Sequence, residues 1–224
     1  MGGLIKYFLI IFFIANASSQ DKLFTIIEPD ESGIHFSNDL IDTKENNVFL
    51  YANFYGGAGV GVGDFDNDGL DDLFFAGNLV DDKIYKNLGN LKFQDKTPNS
   101  GIINDSSWST GVTVADVNND GLLDIYVSCE LYDDQPKLRT NKLYINKGNF
   151  EFDELAAEWN VDVDRRTRHA VFFDYNKDGL LDLYLLNHPP NTGNFSPFLG
   201  TDMKLPEYNL QLFENKEGFF EDVT

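Results

Sequence analysis

Short runs of alternating apolar and polar residues recur along the chain, separated by turns rich in Gly, Asn and Asp. Between residues 93 and 146 these runs read FQDKT, TGVTVADV, LLDIYVS and NKLYIN. A period of two, together with many Val, Ile, Tyr and Phe residues, favours β-strands over helices. The best candidate for a helix, residues 154–159, is too short to change the predicted fold class. The pattern therefore predicts an all-β chain of short antiparallel strands.

Three segments of the chain align without gaps. They are GVGDFDNDGLDDLFF (61–75), TVADVNNDGLLDIYV (113–127) and VFFDYNKDGLLDLYL (171–185). A second element follows each of them, as KIYKNLGNLKF (83–93), KLYINKGNFEF (142–152) and LQLFENKEGFF (210–220). Repeats of this size indicate stacked supersecondary units, and four antiparallel strands per unit describe the blades of a β-propeller.

The repeats also predict the domain organisation. If each cycle begins at a recurring Phe, residues 20–224 form a partial propeller with blades at about 24–92, 93–151 and 152–219, and another blade starts at 220. Propellers typically close with four to eight blades, so about three blades predict an incomplete ring. A closed three-blade ring or an open stack would expose apolar edge strands. We therefore expect the sequence to be a piece of a longer protein.

The N-terminus carries a pattern of its own. Lys6 precedes an apolar run at 7–15, and the small residues at 15–17 fit an A-x-A cleavage site. A membrane anchor is disfavoured because the run is far shorter than the roughly 20 residues that cross a bilayer. Residues 1–19 are therefore predicted to be a signal peptide. We expect a mature chain with no transmembrane segment, located outside the cell, at the cell surface, or in a bacterial periplasm.

Charge and composition exclude several classes of protein. The chain has 17 Lys and Arg against 37 Asp and Glu, a formal net charge of −20, which argues against a nucleic-acid binder. Its 20 Phe residues supply a hydrophobic core and argue against acidic disorder. One Cys excludes an internal disulfide framework and a Cys-built metal cluster. Cys129 lies in an apolar strand pattern and is interpreted as a buried, inert thiol.

Much of the acidity falls in three loops of the form D-x-[DN]-x-D-G-x-x-D. Oxygen-bearing side chains at alternating positions let a tight loop point several ligands at one centre, and the Gly permits the sharp turn. The predicted metal ligands are Asp64, Asp66, Asp68, the Leu70 carbonyl and Asp72 in loop one; Asp116, Asn118, Asp120, the Leu122 carbonyl and Asp124 in loop two; and Asp174, Asn176, Asp178, the Leu180 carbonyl and Asp182 in loop three.

The chemistry of this ligand set favours Ca²⁺. Hard oxygen ligands without His or Cys are typical of Ca²⁺ rather than transition metals, and Mg²⁺ usually keeps several waters. Two carboxylates about 4 Å apart repel by about 4 kcal/mol at an effective dielectric of 20, so each loop needs a cation to hold its acids together. A solvated acidic turn is the alternative, which three copies in register disfavour. The sequence thus predicts about three structural Ca²⁺ ions.

Two details of the loops refine this prediction. An EF-hand has Glu at position twelve and helices on both sides. Position twelve here is Phe75, Val127 or Leu185, within strand-like runs, so the loops are predicted to join strands. Asp71 stands at position eight and is interpreted as a surface charge.

The loop segments, with the Y-x-N-x-G-N-like elements that follow them, resemble FG-GAP/VCBS repeats over about residues 24–224. The resemblance implies calcium-loop blades of the integrin α-subunit type, in a seven-bladed propeller. The run WSTGV at 108–112 resembles secreted bacterial proteins with an ASPIC/UnbV C-terminal domain, relatives of cartilage acidic protein. That resemblance implies later blades and a C-terminal domain in addition to these repeats.

Two functions are compatible with these features. The first is a secreted, non-enzymatic, Ca²⁺-stabilised module for adhesion, recognition or surface assembly, with an extracellular protein or glycan as partner. The second is a carbohydrate-active enzyme or lectin, which the resemblance implies for some related propellers. Its candidate residues are Tyr184, His188 and the run RRTRH at 165–169, in which Arg forks match a uronate carboxylate. The alternative for this run is surface charge that balances neighbouring acids. No catalytic set is recognisable, so the sequence favours binding.

Overall fold

The computed structural model describes residues 23–51, 53–131, 135–188 and 210–224. The predicted signal peptide at 1–19 lies outside the described residues. Within the described ranges the chain forms twelve strands. Their bounds are Val60–Gly63 (β1), Asp72–Phe75 (β2), Lys83–Asn87 (β3), Phe93–Asp95 (β4), Ser109–Ala115 (β5), Asp124–Cys129 (β6), Lys142–Asn146 (β7), Phe152–Glu154 (β8), Thr167–Phe173 (β9), Asp182–Asn187 (β10), Gln211–Asn215 (β11) and Phe220–Asp222 (β12).

The strands form three four-stranded sheets, each antiparallel and in chain order. We name them blade one (β1–β4), blade two (β5–β8) and blade three (β9–β12). The helical content of the described residues is one turn, α1 (Pro29–Ser32), and a 3₁₀ turn at Pro136–Leu138. None of these helices is long enough to cross a membrane. The predicted all-β class with four-stranded, propeller-like blades is confirmed, and residues 154–159 form a strand end and a turn.

The strand pairing corrects the predicted blade boundaries. The recurring segment at Phe93 was placed at the start of a cycle, but β4 pairs with β3 and closes blade one. In the same way β8 closes blade two, and β12 closes blade three rather than opening another blade. A tight turn explains the difference, because Leu88 N–H donates to the Lys92 carbonyl at 2.8 Å and folds β4 back onto β3. Each repeat still forms one four-stranded blade, but the blade begins one strand later in the chain than predicted.

The hydrophobic core lies between neighbouring blades. The Phe65 ring packs edge-on against Phe150 and Phe152 of blade two, with ring centres 6.5 and 6.0 Å apart. Between blades two and three, Trp159 packs against Phe220. Each buried ring of this size contributes about 1.5–3 kcal/mol relative to an exposed one. The aromatic residues therefore stabilise the blade stack, and Trp108 and Trp159 are both buried.

The first strands of the three blades run close together. A Cβ atom at Gly61 would lie 2.7 Å from the Val112 side chain, and one at Gly111 would lie 2.7 Å from the Arg168 carbonyl. Both distances are shorter than van der Waals contact, so the backbone approach of β1 to β5 and of β5 to β9 requires glycine. This approach brings the acidic loops at the ends of β1, β5 and β9 to the same end of the blade stack.

Candidate metal centres

Each acidic loop joins the first strand of a blade to the second. Loop one (64–72) follows β1, loop two (116–124) follows β5, and loop three (174–182) follows β9. The last residue of each loop is also the first residue of the next strand. Strands therefore flank all three loops, as the sequence predicted, and the EF-hand arrangement is absent from these loops.

The first Asp of each loop organises the turn. Asp64 accepts hydrogen bonds from the backbone N–H groups of Asp68 at 3.0 Å and Gly69 at 2.7 Å, and Asp116 and Asp174 make the equivalent pair. The glycine at position six has φ of 88°, 86° and 91° in loops one to three, a conformation that favours glycine. The three loops therefore share one backbone conformation, which the D-x-x-x-D-G spacing specifies locally.

The ninth-position Asp is buried in all three loops and accepts two backbone hydrogen bonds. Asp72 accepts from Phe65 N–H at 2.9 Å and from Asn87 N–H at 2.7 Å. Asp124 and Asp182 make the same two contacts within blades two and three. Each carboxylate oxygen has a second lone pair, so these contacts leave capacity for a metal ion. This Asp ties the loop to the third strand of its own blade.

The donor set of loop one fits a bound cation. Oxygens of Asp64, Asp66 and Asp72 lie within 4.8 Å of one another. The Oδ1 atom of Asp66 is buried and has no hydrogen-bond partner among the described residues, as expected for an atom that coordinates an ion. In loops two and three Asn118 and Asn176 replace it, and their amides donate to the fifth-position carboxylates at 3.0 and 2.8 Å. The full ligand sets, including the Leu carbonyls, stay predictions.

Burial and neighbouring charge act on the ninth-position carboxylates. Burial raises the pKa of Asp124 to about 7, with a further increase from Asp120 and Asp116, although two backbone N–H groups oppose the shift. Burial also raises the pKa of Asp72, with the Asp66 and Asp68 charges adding to it. Among the described residues neither carboxylate forms an ion pair with a Lys, Arg or His side chain, and a dication in the loop would supply the positive charge.

The raised pKa of Asp124 predicts an unusual pH dependence. In metal-free buffer the folded chain holds a proton on Asp124 between about pH 4 and 7 that the unfolded chain has released, so this residue makes stability fall as pH rises through that window, by up to about 1.4 kcal/mol per unit. Urea unfolding of wild type and Asp124→Asn at pH 4.5, 5.5, 6.5 and 7.5 measures it. We expect the difference between the two proteins to change with pH, and a constant difference would contradict the assignment.

Two asparagines tie acidic loops to a neighbouring blade, and no role was predicted for them from the sequence. The amide of Asn146 donates to the Phe65 carbonyl of loop one at 2.9 Å, and the amide of Asn215 donates to the Val117 carbonyl of loop two at 3.0 Å. Asn87 holds the equivalent position at the end of β3. The Asn that ends each of the segments KIYKN, KLYIN and QLFEN was the sequence feature from which a shared role could have been predicted. The conformations of loops one and two are therefore each coupled to the next blade.

A second polar cluster lies at the other end of the blades. Glu130 follows β6, which starts at loop two, so it is roughly 20 Å from the acidic end by strand rise. Its fully buried carboxylate contacts the Tyr51 hydroxyl, Arg168 Nη1 and His188 Nε2. Burial alone would raise the pKa of Glu130, but the contacts with His188, Tyr51 and Arg168 outweigh it and hold the pKa below its usual range. We call these four residues the Glu130 cluster.

The Glu130 cluster contains part of the second candidate site. Arg168 and His188, 20 residues apart in blade three, converge on one carboxylate. Arg166 is buried, whereas His169 is exposed and Tyr184 lies half-buried in β10. The surface-charge interpretation is therefore wrong for Arg166 and Arg168. Glu130 directly follows the apolar run IYVSC, and an acid at that place could have indicated a buried charge. Its partners could not be identified in this way because they are distant in sequence.

Cys129 stands next to Glu130 at the end of β6. Its thiol is fully buried, and burial raises its pKa to about 12. A thiolate is therefore scarce near neutral pH; the predicted burial of Cys129 is confirmed, and its inertness stays a prediction.

The part of the chain that contains acidic loops one and two resembles known proteins. A model of an FG-GAP-like repeat matches residues 64–127, which extend from loop one into β6. Cartilage acidic protein 1 of Xenopus tropicalis is 26% identical over 179 residues, which is 79% of this chain and 27% of that protein. The chain therefore spans about a quarter of the length of this relative. Both comparisons support a chain that carries FG-GAP-like repeats.

Proposed function

We propose that this chain is part of a secreted, Ca²⁺-stabilised repeat module that binds an extracellular protein or glycan and catalyses no reaction. The observation that carries the proposal is the shared geometry of the three loops. In each loop the first Asp caps two N–H groups, the sixth residue is a left-handed Gly, and the ninth Asp is buried. A solvated acidic turn has no reason to repeat this arrangement three times.

The proposed ions have a structural role in this arrangement. About three Ca²⁺ ions, one in each loop, would take carboxylate, amide and carbonyl oxygens, with water completing the six to eight ligands that Ca²⁺ prefers. Each ion would neutralise the repulsion among three or four carboxylates, and asparagines from the next blade contact loops one and two. Metal binding in these loops would therefore stabilise the contact between blades as well as the loop itself.

The extracellular location rests on two supports. Residues 1–19 have the pattern of a signal peptide, and the similar cartilage acidic protein 1 is named for cartilage, a tissue that consists largely of extracellular matrix. Because this chain spans about a quarter of that protein, the further blades of a seven-bladed ring and a C-terminal domain belong to the proposal. Adhesion, recognition and surface assembly are the roles that fit a rigid repeat module with metal in structural positions.

A calcium titration with two variants tests the metal assignment. Asp120→Ala removes a predicted ligand of loop two, while Asp71→Ala removes an exposed charge that the assignment leaves out. We expect calorimetry to show one fewer bound ion, or a site weakened by about 10- to 100-fold, in Asp120→Ala. Asp71→Ala should bind like the wild type. Equal behaviour of the two variants would contradict the ligand assignment.

The carbohydrate-active alternative has one observation in its favour, the convergence of Arg168 and His188 at one end of the blades. Against it, the Arg168 Nη1 and His188 Nε2 atoms already contact the buried Glu130 carboxylate. A glycan array combined with a reducing-end assay separates the two functions. Binding without turnover supports the proposed module, and turnover of any polysaccharide would favour the enzyme.

A further inference from the structure

Lys86 of β3 reaches into the acidic loop of its own blade. Its ammonium contacts the Asp66 carboxylate and lies 2.8 Å from Asp68 Oδ2. The Lys86 and Asp66 side chains are 21% and 14% exposed, so the contact is largely shielded from water. The ammonium of Lys86 therefore already contacts two predicted ligands of loop one, of which Asp66 is the one that loops two and three lack.

The other two blades serve as internal controls for this contact. Blades two and three have Ile145 and Glu214 in place of Lys86, and Asn118 and Asn176 in place of Asp66. Loop one thus gains one carboxylate and one ammonium together. Its four predicted acidic ligands carry −4, which Lys86 reduces to −3, and loops two and three carry −3 each from three acids. The added charge pair gives loop one the same net charge as loop two, whereas Glu214, which contacts Asn176, adds a further negative charge beside loop three.

Lys86 satisfies only half of the Asp66 carboxylate. It contacts Oδ2, whereas Oδ1 is buried without a hydrogen-bond partner among the described residues. The Lys86 ammonium also lies 5.7 Å from the centre of the Phe150 ring in blade two, a cation–π contact that holds it near the loop. Loop one is therefore arranged to keep a tethered cation close while one ligand oxygen remains available.

We propose that Lys86 competes with Ca²⁺ for Asp66 and Asp68, so that loop one binds Ca²⁺ more weakly than loops two and three and depends less on the ion for its order. This inference rests on the proposed function, since it requires that the loops bind Ca²⁺. An ammonium and a dication repel each other, so coordination by Asp66 and Asp68 requires Lys86 to withdraw. The three sites then fill at different Ca²⁺ concentrations, with loop one last.

The test is a calcium titration of the full chain by calorimetry with Lys86→Met, which keeps an unbranched apolar stem and removes the charge. We expect the affinity of the weakest site to rise by about tenfold or more. Lys83→Met is the matched control, because Lys83 lies in the same strand and its ion-pair partner is Asp95, outside the loop, at 3.7 Å. This control should leave all three affinities unchanged.

A third variant assigns the change to loop one. Asp64→Ala should remove the weakest site, and Lys86→Met added to Asp64→Ala should then have no effect on the remaining sites. If Ca²⁺ binds but Lys86→Met leaves every affinity unchanged, or raises an affinity that Asp64→Ala does not remove, the inference is overturned. If wild type and variants all fail to bind Ca²⁺, the proposed function itself is wrong.

Discussion

Transfer of the chain from millimolar Ca²⁺ into EGTA is expected to lower its melting temperature by about 10 °C for each tightly held ion. A ligand present at about 1,000 times its dissociation constant stabilises the folded state by about 4 kcal/mol, and in a domain of this size 1 kcal/mol shifts the melting temperature by about 2–4 °C. Because the chain has three acidic loops, each with a buried ninth-position Asp, we expect a large decrease in melting temperature when Ca²⁺ is removed.

The loss should be cooperative, because metal loops and blade contacts are not separate. The Asn146 and Asn215 amides hold carbonyls of loops one and two, so a loop that opens also releases contacts with the next blade. We expect one unfolding transition in Ca²⁺ and a lower one in EGTA. Differential scanning calorimetry measures both, and addition of excess Ca²⁺ should restore the original transition.

Mg²⁺ at the same ionic strength is the control for non-specific screening. Because Mg²⁺ requires octahedral geometry and retains water, it should restore a small part of the melting temperature. A melting temperature that is the same in Ca²⁺ and in EGTA would contradict a structural metal in these loops. Full recovery with Mg²⁺ would contradict selection of Ca²⁺.

The strands and loops were predictable because their signals are local. Alternation between apolar and polar residues specifies a strand within five or six residues, and D-x-D-x-D-G specifies a turn in which the first Asp caps two N–H groups. The three in-register copies then indicated one blade per repeat. The phase of the blades was not predictable in this way, because a repeated strand such as β4 pairs equally well, in sequence terms, with the strand before or after it. The turn at 88–92 decides the pairing.

Contacts between distant residues account for the rest. Glu130 meets Tyr51, Arg168 and His188 across 38 to 79 residues, and no periodic pattern links them. Lys86 is 20 residues from Asp66, and its role emerges from comparison of the three blades in the structure. Sequence patterns thus identify residues that act within one turn, whereas partners of isolated charges require the fold.

Replacement of Glu130 is the second change for which we expect a large effect. Glu130→Gln keeps the size of the side chain and removes the charge that Arg168 and His188 contact, so a buried pair loses one partner. Such changes destabilise by about 3–5 kcal/mol, and Arg168, which is 31% exposed, recovers part of this through water. We therefore expect a loss of about 3 kcal/mol in urea unfolding.

Glu158→Gln is the matched control, because Glu158 is an exposed acid and such surface changes usually stay within about 0.5 kcal/mol. The pH dependence separates loss of charge from loss of packing. The lowered pKa of Glu130 means that its contribution is present above the unfolded value of 4.5 and is lost as pH falls through the folded value. The difference between wild type and Glu130→Gln should therefore shrink on acidification. A difference that stays constant to pH 3 would mean that Glu130 acts through packing alone, and that its carboxylate does not join the two blades and the segment before β1 electrostatically.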